Sequence, residues 1–165
     1  MIMNTDPYAF TFKLAQSEEE YEEGKRLFVE YSKSIDINLE YQGFANELEI
    51  VHKQYTKPEG ALILIQHPDS NHAIGCVGIR KFDDGVAELK RMYIQPQFRG
   101  KGLASKLLSM AIDLCNELNY CKILLDTLDT MKPAIALYKK HGFTDIDAYC
   151  FNPRNDARFF ELKLI

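Results

Sequence analysis

The residues able to do chemistry are concentrated in one stretch, Glu88-Leu-Lys-Arg-Met-Tyr-Ile-Gln-Pro-Gln-Phe-Arg-Gly-Lys-Gly-Leu-Ala104. It reads as a strand, a short loop with two glycines and the opening of a long helix. Such a sequence builds an anion site. The first N–H groups of a helix have no intrahelical acceptor, the helix dipole adds partial positive charge there, and glycines let phosphate oxygens reach the backbone. Arg99 and Lys101 flank that spot and can add charge. The ligand implied is a phosphate-bearing cofactor, a pyrophosphate above all. The loop lacks the Gly-x-x-x-x-Gly-Lys-Ser/Thr of a nucleoside-triphosphate site. Gly100 and Gly102 begin a Gly-x-Gly-x-x-Gly, but position 105 is Ser. A dinucleotide unit would also open the chain, whereas this one follows three strands.

The elements that must position this loop follow from apolar periodicity. Tyr8 to Ala15 alternates apolar and polar and reads as a first strand. Ser17 followed by three glutamates is a helix N-cap with acids in the first turn, and Tyr21, Gly24, Leu27, Phe28 and Tyr31 carry that helix to about Lys33. Ser34 to Gly43 reads as a loop, and Phe44 to Tyr55 as a second amphipathic helix closed by Pro58-Glu59-Gly60. The period then switches to two. Ala61 to Gln66, Ala73 to Phe82 and Val86 to Ile94 are strands, the last two joined at Asp83-Asp84-Gly85, a dipeptide setting that accepts a tight hairpin turn. Leu103, Leu107, Leu108, Ala111, Leu114, Cys115 and Leu118 form the apolar stripe of a helix from Lys101 to Leu118. Lys122 to Leu128 is a buried strand. Pro133 and Gly142 bracket a helix over Ala134 to His141, and Phe143 to Phe151 and Arg158 to Ile165 finish as strands. The order βααβββαβαββ is an α/β (α+β) layout with a mixed sheet.

Composition narrows the function classes. At 165 residues the chain is expected to be one domain, 1–165, and its 46% hydrophobic content is that of a globular protein. A formal net charge of −4 argues against a nucleic-acid partner or an anionic membrane surface. No apolar run approaches the ~20 residues that span a bilayer. The first ten residues lack a basic-then-apolar signal pattern, so a cytoplasmic location is expected. Cys76, Cys115, Cys121 and Cys150 have no CxxC spacing and are expected to be reduced and mostly buried. The four histidines, His52, His67, His72 and His141, show no metal-ligand spacing, so no metal is expected.

Gln97-x-x-Gly100-x-Gly102 resembles the Q/R-x-x-G-x-G/A motif of the GNAT superfamily of acyl-CoA-dependent N-acetyltransferases. The surroundings are similar too: Glu88 on the preceding strand, Pro96, the long helix after the loop, and Ala134-Ile-Ala-Leu-Tyr138-Lys-Lys-His-Gly-Phe143. The likeness covers the whole chain in element order and is specific from Glu88 to Phe143. It implies a GNAT-like mixed, mostly antiparallel central sheet of about seven strands flanked by four helices. The co-substrate implied is acetyl-CoA and the acceptor a small-molecule amine, acetylated by direct attack within a ternary complex. Homodimers are common in the family, and Phe159, Phe160, Leu162 and Leu164 read equally as a dimer contact or as core.

The resemblance also implies roles. The strand bearing Glu88 splays from the strand bearing Asp126, and pantetheine lies in the wedge. Met92, Tyr93 and Ile94 contact it, with an N–H near Met92 polarising the thioester carbonyl. Gln97, Arg99, Gly100, Lys101, Gly102, Leu103 and Ala104 hold the pyrophosphate. Glu88 is the candidate general base, because a protonated amine must lose a proton before it attacks. Alternation puts it beside Val86 and Lys90, where partial burial would raise its pKa; a solvated glutamate paired with a lysine is the plain alternative. Tyr138 is the candidate acid for the departing thiolate, or else a core tyrosine. Many members carry a cofactor-contacting Asn seven residues before that tyrosine, and here the position is Met131. The amine site would draw on Tyr41, Gln42, Phe44, Arg80, Tyr149 and Asn152. Arg80 is read either as a carboxylate or phosphate ligand or as half of a surface salt bridge. A different class, a non-catalytic acyl-CoA-binding sensor, would keep the loop and lose Glu88 and Tyr138. A transferase of longer acyl-CoA is a third reading.

Overall fold

The computed structural model describes residues 9–165. Seven strands form one sheet in the order β1-β2-β3-β4-β5-β7-β6: β1 Thr11–Leu14, β2 Ala61–Gln66, β3 Ala73–Asp83, β4 Val86–Ile94, β5 Lys122–Leu128, β6 Thr144–Ile146 and β7 Ala157–Lys163. Every pairing is antiparallel except β4 with β5. Five helices flank it: α1 Glu18–Ser34, α2 Phe44–Glu49, α3 Val51–Gln54, α4 Leu103–Glu117 and α5 Lys132–Lys140. The architecture is the mixed α/β fold expected, with one helix more than the four anticipated.

Both faces of the sheet are covered, which explains why β2 is an unbroken apolar run rather than an alternating one. On one face Leu103, Leu107, Leu108, Ala111 and Cys115 of α4 pack with Ile63, Val77, Ile79, Ile123 and Phe160. On the other, Tyr21, Leu27 and Phe28 of α1 pack with Val51, Tyr55, Leu62 and Leu64. Gly24 lets α1 sit close: a Cβ there would collide with the Leu62 side chain. The α1 cap is as read, with the Ser17 hydroxyl accepting from Glu20 N at 3.3 Å and the Glu20 carboxylate accepting from Ser17 N at 3.2 Å. The chain's final strand is core on one side, with Phe160 fully buried and Leu162 and Leu164 packed against the same cluster.

Most element ends fall within two residues of the periodicity, and four regions differ in kind. The expected first strand opens at Tyr8, which lies outside the described residues; β1 begins at Thr11. The loop after α1 contains a 3₁₀ turn at Leu39–Gln42, capped by the Asn38 side chain and ended by Gly43. The single helix predicted over 44–55 breaks at Ile50, whose N–H is shared between Asn46 and Glu47 carbonyls. With that break, Glu47 of α2 and Tyr55 beyond α3 both turn inward and bond at 3.1 Å. The predicted strand over 143–151 keeps only three rungs on β7, after which residues 147–156 leave the sheet edge. That departure carries Tyr149 and Asn152 to polar partners on the two central strands. Two of the cysteines, Cys76 and Cys115, are buried, whereas Cys121 is exposed and Cys150 intermediate. Among the described residues, no helix is long and apolar enough to cross a membrane.

Candidate active site

The two parallel strands at the centre of the sheet pair over only three rungs, Val86–Lys122, Ala87–Ile123 and Glu88–Leu124. From Leu89 onward β4 has no ladder partner on β5, so the strands part and leave a wedge whose walls are unpaired backbone. A β-bulge sharpens the departure. Between the Gly78–Lys90 and Cys76–Tyr93 rungs, Arg91 and Met92 oppose Val77 alone, and Arg91 has φ +58°. Met92, Tyr93 and Ile94 therefore lie on the diverging part of β4.

The chain leaves β4 through a short 3₁₀ turn, Pro96–Phe98, and reaches α4 through Gly100 and Gly102. Both glycines have positive φ, +78° and +76°, and no atom lies within 4 Å of where a Cβ would stand. Gly102 caps α4 without any side-chain hydrogen bond. The free N–H groups of the first turn, at Leu103 and Ala104, thus open onto empty space beside a helix dipole, which suits the pyrophosphate of a CoA. Arg99 folds back: its Nε donates to the Ile94 carbonyl at 2.8 Å and its guanidinium lies over Tyr93. Lys101 is exposed.

At the mouth of the wedge three buried charge groups meet. Glu88 is 2% exposed, and both its oxygens are engaged. Oε1 accepts from Arg80 Nε at 2.8 Å and lies 2.7 Å from Nη2, while Oε2 accepts from the Tyr149 hydroxyl at 2.7 Å. Arg80 is thus not free for a substrate anion; it is the half-buried counter-charge of the buried Glu88. Burial weakens its charge, but the neighbouring Glu88 carboxylate outweighs that and holds it more basic than an ordinary arginine. Burial next to Glu88 pushes the Tyr149 phenol well above its ordinary range, which keeps it a donor.

The second group is Asp126 on β5. Its Oδ2 accepts from Gln42 Nε2 at 3.1 Å and Asn152 Nδ2 at 3.3 Å, and its Oδ1 faces Lys90 Nζ at 3.7 Å. Lys90 in turn donates to Gln42 Oε1 at 3.3 Å. Burial, then the adjacent Arg91, lowers the Lys90 ammonium, against the pull of Asp126 and Glu88. Tyr41 receives a 3.2 Å bond from the Gln42 amide. The third group is structural. Arg91 forks onto Glu47 at 2.9 and 3.1 Å, both side chains being 3% exposed, and stacks over the Phe44 ring. Phe44 is therefore a wall for that ion pair rather than a free surface.

Tyr138 of α5 packs with its ring tilted against those of Phe143 and Phe160. Its hydroxyl bonds to no described residue, so a ligand can take it. Burial, reinforced by nearby Tyr31 and Asp126, raises the phenol and keeps it protonated. Met131 stands before α5 and receives the Thr127 hydroxyl at its sulfur, 3.5 Å away.

The GNAT acetyltransferase family model matches residues 15–143, through both walls of the wedge and the glycine loop. The chain belongs to the GNAT acetyltransferase family. An uncharacterized N-acetyltransferase of Schizosaccharomyces pombe is 33% identical over 85% of this chain and 86% of its own. A GNAT-family acetyltransferase of Staphylococcus aureus shares the fold, with a TM-score of 0.79 over 95% of this chain and 100% of that one, at 24% identity. A Bacillus anthracis protein solved in complex with acetyl coenzyme A superposes with a TM-score of 0.58 over 69% of this chain and 68% of that one, at 22% identity.

Within this GNAT chain, the structure gathers Glu88, Tyr149, Arg80, Gln42 and Asn152 at one end of the wedge and the glycine loop at the other. Sequence reasoning does not single out Lys90, Asp126 or the Glu47–Arg91 pair. Their one signal is a charged residue at a buried position of a strand or helix that otherwise reads apolar. A cleft of about 720 Å³ between α1 and α3 is lined by none of the candidate residues. Among the described residues there is no group of three His, Cys, Asp or Glu side chains that could hold a metal.

Proposed function

We propose that this single-domain chain transfers an acetyl group from acetyl-CoA to a primary amine by direct attack, with both substrates bound together in the wedge. The observation that carries this reading is the union of an uncapped glycine cradle with a buried carboxylate–tyrosine pair where β4 and β5 part. Acetyl-CoA held there would supply an activated thioester. Backbone N–H groups of Gly100 to Ala104 hold its pyrophosphate, Gln97 and Arg99 shape that loop, and Met92, Tyr93 and Ile94 line the pantetheine path. The N–H near Met92, on the bulged part of β4, polarises the carbonyl.

The acceptor arrives as an ammonium ion and must lose a proton. Glu88 is the proton's destination. Tyr149, less buried than Glu88, donates to its Oε2, so the phenolic oxygen can take a proton from the amine while passing its own to Oε2. Tyr138 donates its hydroxyl proton to the leaving thiolate sulfur. Among the described residues no Cys or Ser side chain hydrogen-bonds to Glu88 or Asp126, and burial beside those two carboxylates pushes the nearby Cys150 thiol up, which favours direct attack over a covalent acyl-enzyme. A non-catalytic acyl-CoA sensor is the alternative, and retention of Glu88, Tyr149 and Tyr138 with their polar atoms turned to the wedge speaks for turnover. Thiol release from acetyl-CoA, measured across a panel of amines, tests this. Amine-dependent release supports the transferase; tight acetyl-CoA binding with no release by any amine supports the sensor.

A further inference from the structure

Lys90 and Asp126 form an incomplete pair. Their side chains are 4% and 9% exposed, and the Nζ–Oδ1 separation is 3.7 Å, too long for a hydrogen bond. Asp126 Oδ1 accepts no hydrogen bond from a described residue, and Lys90, with three protons to give, makes a single bond of 3.3 Å. Buried opposite charges are retained when they are fully hydrogen-bonded, and each missing partner is costly. What partly fills the gap is the amide of Gln42, carried on the 3₁₀ turn. Its carbonyl oxygen faces the lysine and its NH₂ faces the aspartate, at 3.3 and 3.1 Å. One neutral group thus offers an acceptor to the cation and a donor to the anion.

We infer that Lys90 and Asp126 bind the two charged ends of an amino acid acceptor, its carboxylate on Lys90 and its ammonium on Asp126, in place of the Gln42 amide. The inference deepens the transferase reading and rests on it. The charges around the wedge mouth decide between ligand classes. Arg80 and Lys90 are balanced by Glu88 and Asp126. A plain amine would set a second cation beside Lys90 and leave that lysine without an acceptor. A plain carboxylate would do the reverse to Asp126. An ammonium and a carboxylate on neighbouring atoms satisfy both, in the polarity that Gln42 already imitates. Tyr149, 2.7 Å from Glu88, then stands next to the ammonium that must be deprotonated.

The test is calorimetric binding to the full chain saturated with CoA. Each of the twenty protein amino acids is titrated beside its decarboxylated amine and its amino alcohol. At least one amino acid is expected to bind about tenfold or more tightly than both partners, a loss set by leaving a buried charge unpaired. Lys90→Met should collapse that gap, and Asp126→Asn should weaken all members of the series. Gln42→Ala, which leaves both charges in place, should keep the gap. Amino acids binding no better than their amines, or a gap that persists in Lys90→Met, or one that vanishes in Gln42→Ala, overturns the inference while leaving the transferase intact. Failure of every amine to release CoA from bound acetyl-CoA overturns the transferase itself.

Discussion

Glu88 shows how one residue can be placed by its sequence and yet be chemically different from what the sequence suggests. Its position on an apolar strand predicts a partly buried carboxylate; the structure adds an arginine on one oxygen and a tyrosine on the other. Tyr149, 61 residues away, is invisible as a partner in a one-dimensional pattern, whereas Arg80 sits across a rung of the hairpin that the Asp83-Asp84-Gly85 turn predicts. The same distance hides Asp126, joined to Gln42 over 84 residues. Replacing Glu88 by Gln keeps an acceptor for Arg80 and removes the proton sink. The expected result is a fall in kcat of about 10²–10⁴-fold, typical of a lost general base, with unchanged affinity for acetyl-CoA. Tyr138→Phe should lower kcat while leaving the KM for the amine close to that of the parent, since only the hydroxyl is lost and the ring keeps its packing on Phe143 and Phe160. Steady-state kinetics with each substrate varied separately checks both.

At the scale of elements, the glycine loop and α4 were the most legible parts. Their signal is local: a helix needs its stripe, and a positive φ needs glycine. Gly100→Val places a β-branched side chain at φ +78°, a strain of order 1–3 kcal/mol, and fills the space beside the helix N-terminus. Acetyl-CoA binding should be lost in calorimetry while the fold persists. The short helices α2 and α3 were the least legible, because their break at Ile50 is set by the Glu47–Arg91–Tyr55 cluster and not by helix propensity. Glu47→Ala removes one side of a buried ion pair and strands Arg91. Such losses run to about 3–5 kcal/mol, readable as a lower denaturation midpoint with an unchanged m value.

At the scale of the whole molecule, the −4 charge says nothing against a polyanionic cofactor held by backbone N–H groups. The carboxylates also set the acid limit of the fold. For Glu47, burial raises the pKa, but the Arg91 hydrogen bonds and charge outweigh it, and the folded value lies below the ordinary 4.5. A depressed carboxylate favours folding above its unfolded pKa, and that contribution disappears as the pH falls through the folded value. Stability measured by denaturation should therefore be flat at neutral pH and decline below about pH 4.5, more gently in Glu47→Gln than in the parent. Binding raises stability by mass action, so acetyl-CoA at 100 times its Kd should add about 2.7 kcal/mol.

Catalytic transfer at the wedge is tested by thiol release from acetyl-CoA, measured with amino acids and simple amines in the parent and in Glu88→Gln. Release should depend on the acceptor, be fastest with an amino acid, and drop at least a hundredfold in Glu88→Gln, the lower bound for a general base. Acetyl-CoA that binds and is never consumed, or a Glu88→Gln variant as fast as the parent, would contradict it.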